Sequence, residues 1–463
     1  MRLDENTRNM NQARDSSPTQ PILIAPTTRA TAGCLILMAL LLAGQVAMAA
    51  TDDLRAEVGR LVQQLDAPQL AARETAEAAL LRHGPAVLEL LPPERELRSA
   101  EVRQRVGRVR QRLEQIAADA VVNPSLITLH AQSMPLSQIL AALDQQSGNK
   151  IVDYRRQFGQ PASDPTLAID FDKTPFWPAL DRLLDRANLT LYPYAPQGLG
   201  VVAAMGATRR ADAARVSYSG PFRFEAVSVR SHRDLTRLDD RALVVGVDAI
   251  WEPRLHVVTL FQRMADIHAV DDRGERLAVY DESVQKETPV GANVAGDPGK
   301  QHAAGTRLDV MLRLPPRDVK QIASLKGKLT ATVLGKTETF CFKLADAKKP
   351  QQRIAGVTVA VEEVRRDDGA CVIGMKVRFD DAGDALASHR QWIFSNDARL
   401  ENADGTSIAY DSFETTAQAK NEVGLAYRFK TDRPFDALTF VYNTPGTIVR
   451  RDFEYELKGI ELP

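Results

Sequence analysis

The sequence predicts a multidomain α+β protein, and three observations carry this prediction. Apolar residues recur at helical spacing within residues 51–120, which predicts an N-terminal helical hairpin. A strand–helix–strand unit occurs twice within residues 125–204, which predicts a duplicated βαβ module. From residue 214 the pattern changes to strands with a second internal repeat, which predicts two tandem antiparallel β-sandwich domains at 214–347 and 352–463.

Length and charge set the first bounds on organisation and function. The chain has 463 residues, and because one domain usually holds about 100–200 residues, several domains are expected. A net charge of −1 gives no electrostatic case for nucleic-acid binding. The local exception is an arginine-rich stretch at 99–116, which we interpret as a solvated helix face because Glu101 and Glu114 partly offset it. Its arginines are Arg103, Arg105, Arg108, Arg110 and Arg112.

Residues 1–50 have the layout of a secretory signal peptide behind a long polar leader. An apolar run from Gly33 to Ala43 is followed by the small-residue site Ala47-Met48-Ala49, so cleavage is expected just after Ala49 or Ala50. A membrane span needs about 20 apolar residues, and this run is shorter. We therefore expect an exported protein, periplasmic or extracellular, with no stable membrane span in its mature chain.

Two cysteines remain after this cleavage, Cys341 and Cys371. A pair in an oxidising compartment can form a disulfide. Alternation places Cys341 away from the core side of Phe340 and Phe342, whereas Cys371 shares a face with Ile373. Both a bridge and two separate thiols are compatible with this pattern.

The sequence between residues 51 and 120 predicts where a helix begins and ends. Pro68 opens a helix and Gly84-Pro85 ends it. This stretch resembles a HEAT-like helical hairpin. Solenoids usually need three or more repeats, so the resemblance implies a small helical cap rather than an extended binding surface.

The duplicated module follows. Placing Pro135 on Pro175 gives an offset of 175 − 135 = 40 residues and also aligns Leu143 with Leu183. Each copy reads as a strand, a proline-started amphipathic helix and a return strand, so we expect helices covering one face of a small mixed sheet. The module resembles the short N-terminal domains of secretins and TonB-associated proteins, and the residues that carry the resemblance are Pro135-Leu136, Leu140, Leu143, Ser147-Gly148, Pro175, Leu180 and Leu183. The resemblance implies a periplasmic docking or assembly fold without catalytic residues.

The second repeat lies in the strand-rich part. Gly274 aligns with Gly405 at an offset of 405 − 274 = 131 residues. The first copy is longer than the second, and its additional residues fall within the loop Val284–Gly305. Phe340-Cys-Phe-Lys-Leu matches Phe453-Glu-Tyr-Glu-Leu at the end of each copy. This repetition is the basis for predicting paired sandwiches.

No catalytic, cofactor-binding or metal-binding residues are assigned from the sequence. The histidines do not have metal-ligand spacing, and no nucleophile elbow or phosphate-binding loop is present. They lie at His83, His130, His232, His256, His268, His302 and His389. Asp271–Gly274 and Asn402–Gly405 are open to interpretation as calcium turns, but hairpin turns are favoured because the spaced acidic series of a calcium loop is missing. Trp177 and Trp251 can be sugar-stacking platforms or core residues, and their apolar neighbours favour the core.

The complete order of segments resembles exported multidomain proteins of planctomycete-type bacteria, which implies an architecture and no chemistry. We expect a non-enzymatic binding or scaffold protein that docks an envelope protein partner. The candidate surfaces are any uncovered sheet edge of the module and the loop Val284–Gly305. The alternatives are carbohydrate binding or processing by the sandwich domains and a structural role in the envelope.

Overall fold

Strands account for 49% of the protein and helices for 25%, so the predicted mixed α+β composition is confirmed. The computed structural model describes residues 53–93, 96–192, 195, 198–204, 215–237, 241–289, 304–345, 350–383, 385–387 and 392–463. The predicted leader and its cleavage site lie outside these residues. So does most of the loop Val284–Gly305.

The N-terminal part is helical. Its elements are α1 (53–64), α2 (Leu70–Arg82), a 3-10 helix (Gly84–Leu90) and α3 (Ala100–Val121). The Ser99 side chain accepts a hydrogen bond from the Val102 amide and thereby caps the start of α3. Leu65, Leu80 and Leu113 are buried in a separate core between these helices.

The module contains two strand–helix–strand copies. They comprise β1 (Leu126–Pro135), α4 (Leu136–Ser147), β2 (Ile151–Asp153), β3 (Thr166–Pro175), α5 (Phe176–Ala187), β4 (Leu189–Tyr192) and β5 (Leu199–Ala203). Both helices end on a residue in the left-handed region, Gly148 with φ 69° and Asn188 with φ 53°. The strands form two sheets rather than one mixed sheet: β1 pairs antiparallel with β3, and β5 lies between β2 and β4.

The first sheet pair follows the module. Its strands are β6 (Val216–Ser219), β7 (Phe222–Arg233), β8 (Arg241–Trp251), β9 (His256–Arg263), β10 (His268–Asp271), β11 (Arg276–Leu277), β12 (Gln285–Pro289), β13 (Gly305–Arg313) and β14 (Gln321–Leu334). One sheet has the order β13-β8-β7-β6 and the other the order β11-β10-β14-β9-β12. A single apolar core, including Phe224, Val245 and Leu329, lies between the two sheets.

The second sheet pair repeats this plan. Its chain segments supply β15 (Thr337–Lys343), β16 (Gln351–Ile354), β17 (Val357–Asp367), β18 (Ala370–Phe379), β19 (Ala398–Asn402), β20 (Ser407–Ala409), β21 (Ser412–Ala419), β22 (Glu422–Lys430), β23 (Leu438–Pro445) and β24 (Ile448–Glu461). The orders are β16-β17-β18-β22-β21 and β15-β23-β19-β20. Short 3-10 helices lie at Met264–Asp266, Trp392–Ser395 and Phe435–Ala437.

The final strands of the two repeats are exchanged. β15, the last strand of the first copy, pairs with β23, while β24, the last strand of the second copy, pairs with β14. The pairing runs without a register shift from Gln321↔Glu461 to Lys343↔Thr439. Hydrogen bonding therefore crosses the predicted boundary between 214–347 and 352–463 in both directions, and one continuous antiparallel ribbon connects the two cores.

Candidate binding surfaces

A buried carboxylate joins the module to the first sheet pair. Glu252 is fully buried and accepts hydrogen bonds from the Ser125 amide at 2.9 Å, the Ser125 hydroxyl at 2.6 Å and the Asn149 side chain at 2.9 Å. Arg254 donates to the same carboxylate at 2.7 Å and to the carbonyls of Val121 and Asn123. We call this set of residues the Glu252 junction. It links the end of α3 and the module to the turn that follows β8.

Helix α5 makes the second contact between the module and the first sheet pair. Trp177 is buried and its indole N–H donates to the Pro221 carbonyl at 2.8 Å. Asp181 accepts hydrogen bonds from Tyr218 at 2.6 Å and from Arg223 at 2.8 Å. Burial together with the Asp181 carboxylate raises the pKa of Tyr218, so this hydroxyl stays protonated and continues to donate. The face of the module that carries these residues is therefore occupied by its neighbour.

The edges of the two-stranded β1–β3 sheet are partly closed by helix side chains. Gln146 of α4 accepts from the Thr128 amide at 2.9 Å and donates to the Thr128 carbonyl at 3.1 Å. Arg186 of α5, offset by 186 − 146 = 40 residues, donates to the Ala168 carbonyl. Each copy of the repeat therefore provides a helix side chain that occupies main-chain groups of its own strand. Fewer main-chain groups are left for a partner strand than the sequence suggests.

An exposed aromatic cluster lies on the other sheet of the module. Tyr154, Phe158 and Tyr192 have ring centroids 5.4–6.2 Å apart, and Phe158 meets Tyr192 edge to face. Tyr154 is buried, whereas Phe158 is 52% and Tyr192 37% exposed. A Cβ at Gly200 would come within 2.9–3.0 Å of the main-chain oxygen and Cβ of Tyr192 and within 3.1 Å of the Tyr154 ring, so the close approach of β5 to these residues requires glycine.

The loop that carries Phe158 is fixed by a short-range ion pair. The Arg155 guanidinium binds Asp153 at 2.7 Å, and the Arg155 carbonyl accepts from the Gln160 amide at 2.8 Å. Burial raises the pKa of Asp153, but hydrogen bonds from Arg155 outweigh burial and hold that pKa below 3.8. The carboxylate is therefore ionised at neutral pH, and Phe158 is presented by an ordered turn.

The two tryptophans considered as sugar platforms are core residues. Trp177 and Trp251 are both buried, which confirms the core interpretation and makes the platform interpretation wrong for these positions. The sequence reasoning missed the exposed cluster instead. The signal available in the sequence was a pair of aromatic residues, Tyr154 and Phe158, in the otherwise polar stretch before Gly159.

The two Asp/Asn-Gly segments are equivalent hairpin turns, as predicted. Asp271 lies at the start of the β10–β11 turn and Asn402 at the start of the β19–β20 turn, and Gly274 and Gly405 have φ of 85° and 81°. The Asp271 carboxylate accepts from the Arg273 and Glu275 amides, so its oxygens serve the turn. Within the described ranges, no group of three or more His, Cys, Asp or Glu side chains is arranged to hold a metal ion.

Both cysteines and the start of the long loop lie within the described residues. Cys341 is an exposed and Cys371 a buried free thiol, so two separate thiols are confirmed. The loop Val284–Gly305 begins with strand β12, which pairs with β9, and residues 290–303 lie outside the described part.

The solvated-face interpretation of the arginine-rich helix is wrong for Arg105. Arg105 is buried and bonds to Glu77 at 2.8 Å and to Glu101 at 2.6 Å. Arg108 also binds Glu77, and its hydrogen bonds, with those of Arg105, lower the Glu77 pKa. The cations of α3 thus help to hold α2 and α3 together, a role that their sequence spacing does not reveal.

No family model and no curated protein matches this chain. Among the helices that the structure describes, none combines the length and hydrophobicity needed to cross a lipid bilayer.

Proposed function

We propose that this chain is an exported, non-enzymatic binding or scaffold protein that docks an envelope protein partner through its duplicated module. The exposed aromatic cluster of Tyr154, Phe158 and Tyr192 carries the proposal. Large aromatic side chains that are exposed together and held rigidly are typical anchors of protein interfaces. The Arg155–Asp153 pair fixes the loop before binding, which reduces the entropy lost when a partner immobilises it.

The rest of the chain supplies the frame for this surface. We interpret the two sheet pairs as tandem antiparallel β-sandwich domains, the N-terminal helices as a HEAT-like cap, and the module as similar to the secretin and TonB-associated short N-terminal domains. Export is inferred from the signal-like segment before residue 50. The exchanged ribbon and the Glu252 junction favour one rigid scaffold that presents the module.

The proposal is tested by capture of partners from envelope extract with the full chain and with Phe158→Ala and Tyr192→Ala. Truncation of an interface anchor costs about 2 kcal/mol or more, so recovery of a specific envelope protein should fall strongly in both variants. Leu70→Ala is the matched control because Leu70 is 54% exposed, about as much as Phe158, and lies at the start of α2, outside the module. Equal recovery by all four proteins would refute docking through the cluster.

Carbohydrate binding by the second sheet pair is the second candidate. One observation favours it: Phe394, Tyr410, Phe413 and Tyr427 form an aromatic group with ring centroids 5.2–5.9 Å apart, and Phe413 is 36% exposed. Sugar rings stack on such exposed faces. Co-sedimentation with insoluble cell-wall polysaccharide that is lost in Phe413→Ala and retained in Phe158→Ala would select this function over protein docking.

A further inference from the structure

Strand β7 is longer than the strand that covers its outer side. β6 pairs with β7 only over Phe222–Glu225, whereas β7 pairs with β8 along its whole length to Arg233. Among the described residues, no strand is therefore paired with positions 226–233 on the β6 side. Unpaired backbone N–H and C=O groups at such an edge are a template for an added strand.

The repeated architecture provides an internal comparison for this edge. β16 likewise covers β17 only over Val357–Ala360, and both long strands carry a bulge at the same place, between Ala226 and Ser228 in β7 and between Val361 and Glu363 in β17. The edge of β17 continues Glu362-Glu363-Val364-Arg365-Arg366, with charged residues that discourage strand addition. The edge of β7 reads Val227-Ser228-Val229-Arg230-Ser231. Two glutamates and one arginine on the edge of β17 therefore correspond to one valine and two serines on the edge of β7.

A cavity lies beside the first part of the unpaired β7 edge. It has a volume of about 340 Å³ and lies between residues 226–229 and the C-terminal residues 460–463. Ala226, Val229 and Leu462 are partly buried apolar residues that pack on the first core. The cavity is large enough for an apolar side chain that projects from a strand paired with β7.

A cationic group lies at one end of this cavity. The Arg215 guanidinium is 3.7 Å from the Glu461 carboxylate, and its buried Nε atom has no hydrogen-bond partner among the residues that the structure describes. A buried donor without a partner is costly, and a carboxylate is the acceptor that complements it best. Arg230 and Arg233 are exposed farther along the same edge.

We propose that β7 accepts an extended segment of a partner protein as an added strand over residues 226–233, with an apolar side chain in the cavity and a carboxylate against Arg215. Backbone pairing would supply affinity, and the cavity with Arg215 would supply selectivity for an acidic, β-branched segment. A second copy of this chain is a poorer occupant, because its own β7 contains no acidic residue over 226–233. This surface is separate from the aromatic cluster, so either proposal can fail without the other.

The test uses a phage-displayed library of random peptides of about eight residues, long enough to span the open edge. The library is selected in parallel on the full chain and on the Val227→Glu/Ser228→Glu variant, which copies Glu362-Glu363 of β17 and is expected to fold because the equivalent strand tolerates those residues. Peptides enriched on the wild-type protein should contain acidic and β-branched residues. Their synthetic versions should bind the double variant about tenfold or more weakly in fluorescence anisotropy.

Two further measurements isolate the backbone and the charge. A selected peptide N-methylated at alternate residues should lose binding, since it cannot pair with β7, and Arg215→Gln should remove the preference for a peptide carboxylate over its amide. The proposal is overturned if no peptide is enriched on the wild-type protein over the double variant, or if the N-methylated peptide binds as well as its parent. Light scattering that shows a dimer in the wild type and a monomer in the double variant would replace the partner segment with a second copy.

Discussion

Removal of the Glu252 carboxylate should destabilise the contact between the module and the first sheet pair. Glu252→Ala deletes the acceptor of the Ser125 amide and hydroxyl, the Asn149 amide and the Arg254 guanidinium, all within 2.9 Å. The Arg254 charge is then left without its carboxylate, although its bonds to two main-chain carbonyls at the end of α3 remain. Because breaking a buried ion pair by removing one partner costs about 3–5 kcal/mol, we expect a loss of about 4 kcal/mol.

Tryptophan fluorescence during urea unfolding is a suitable assay, because two of the three tryptophans report on this region. Trp251 directly precedes Glu252, and Trp177 bonds to Pro221 across the same contact. The transition they report should move to lower urea in Glu252→Ala and less far in Glu252→Gln, which preserves shape and one acceptor oxygen. Glu275→Ala is the control, since its 74% exposed side chain predicts a change of about 0.5 kcal/mol or less. If Glu252→Ala behaves like Glu275→Ala, the junction does not hold the module.

Three other predictions address the helices, the thiols and the ribbon. The pKa of Glu77 lies below its usual 4.5, so its ion pairs should stabilise the folded state above that pH and fade as the pH falls through the lower folded-state value; Glu77→Gln should flatten this acid dependence in thermal unfolding. Cys341 should react with a maleimide in the native protein while Cys371, whose pKa burial raises, reacts only on unfolding, and equal rates would contradict the described burial. Gly327→Ala should cost about 1–3 kcal/mol in calorimetry, because its Cβ would meet the Tyr455 ring at 2.3 Å across the β14–β24 pair, and an unchanged stability would argue against that register.

The local elements of this fold were largely predictable, whereas the strand exchange was not. The proline-started helices at 135 and 175 and the turns at Gly274 and Gly405 follow from local chemistry, and the structure has them in the expected places. Phe340-Cys-Phe and Phe453-Glu-Tyr have the same alternation, so either strand satisfies either sheet by its local pattern. Only the pairing of distant segments distinguishes the exchanged arrangement from two separate copies.

The candidate surfaces were predicted less well, for a physical reason. Whether a charged or aromatic side chain is buried depends on elements far apart in the sequence: Glu252 is covered by the module, and Arg105 by α2. Phe158 lies in a loop without periodicity, and its exposure depends on the position of Tyr192, which belongs to the second strand–helix–strand copy. The apolar neighbours of Trp177 and Trp251 thus predicted their burial, whereas no spacing pattern indicated the exposed cluster.

The most direct test of docking through the aromatic cluster is photo-crosslinking in intact cells. A photoreactive phenylalanine analogue is placed at position 158, and in a parallel strain at position 70, where Leu70 is also exposed but lies on α2, outside the module. We expect a light-dependent adduct with a specific envelope protein at position 158 and not at position 70. Absence of an adduct at 158, or the same adducts at both positions, would contradict it.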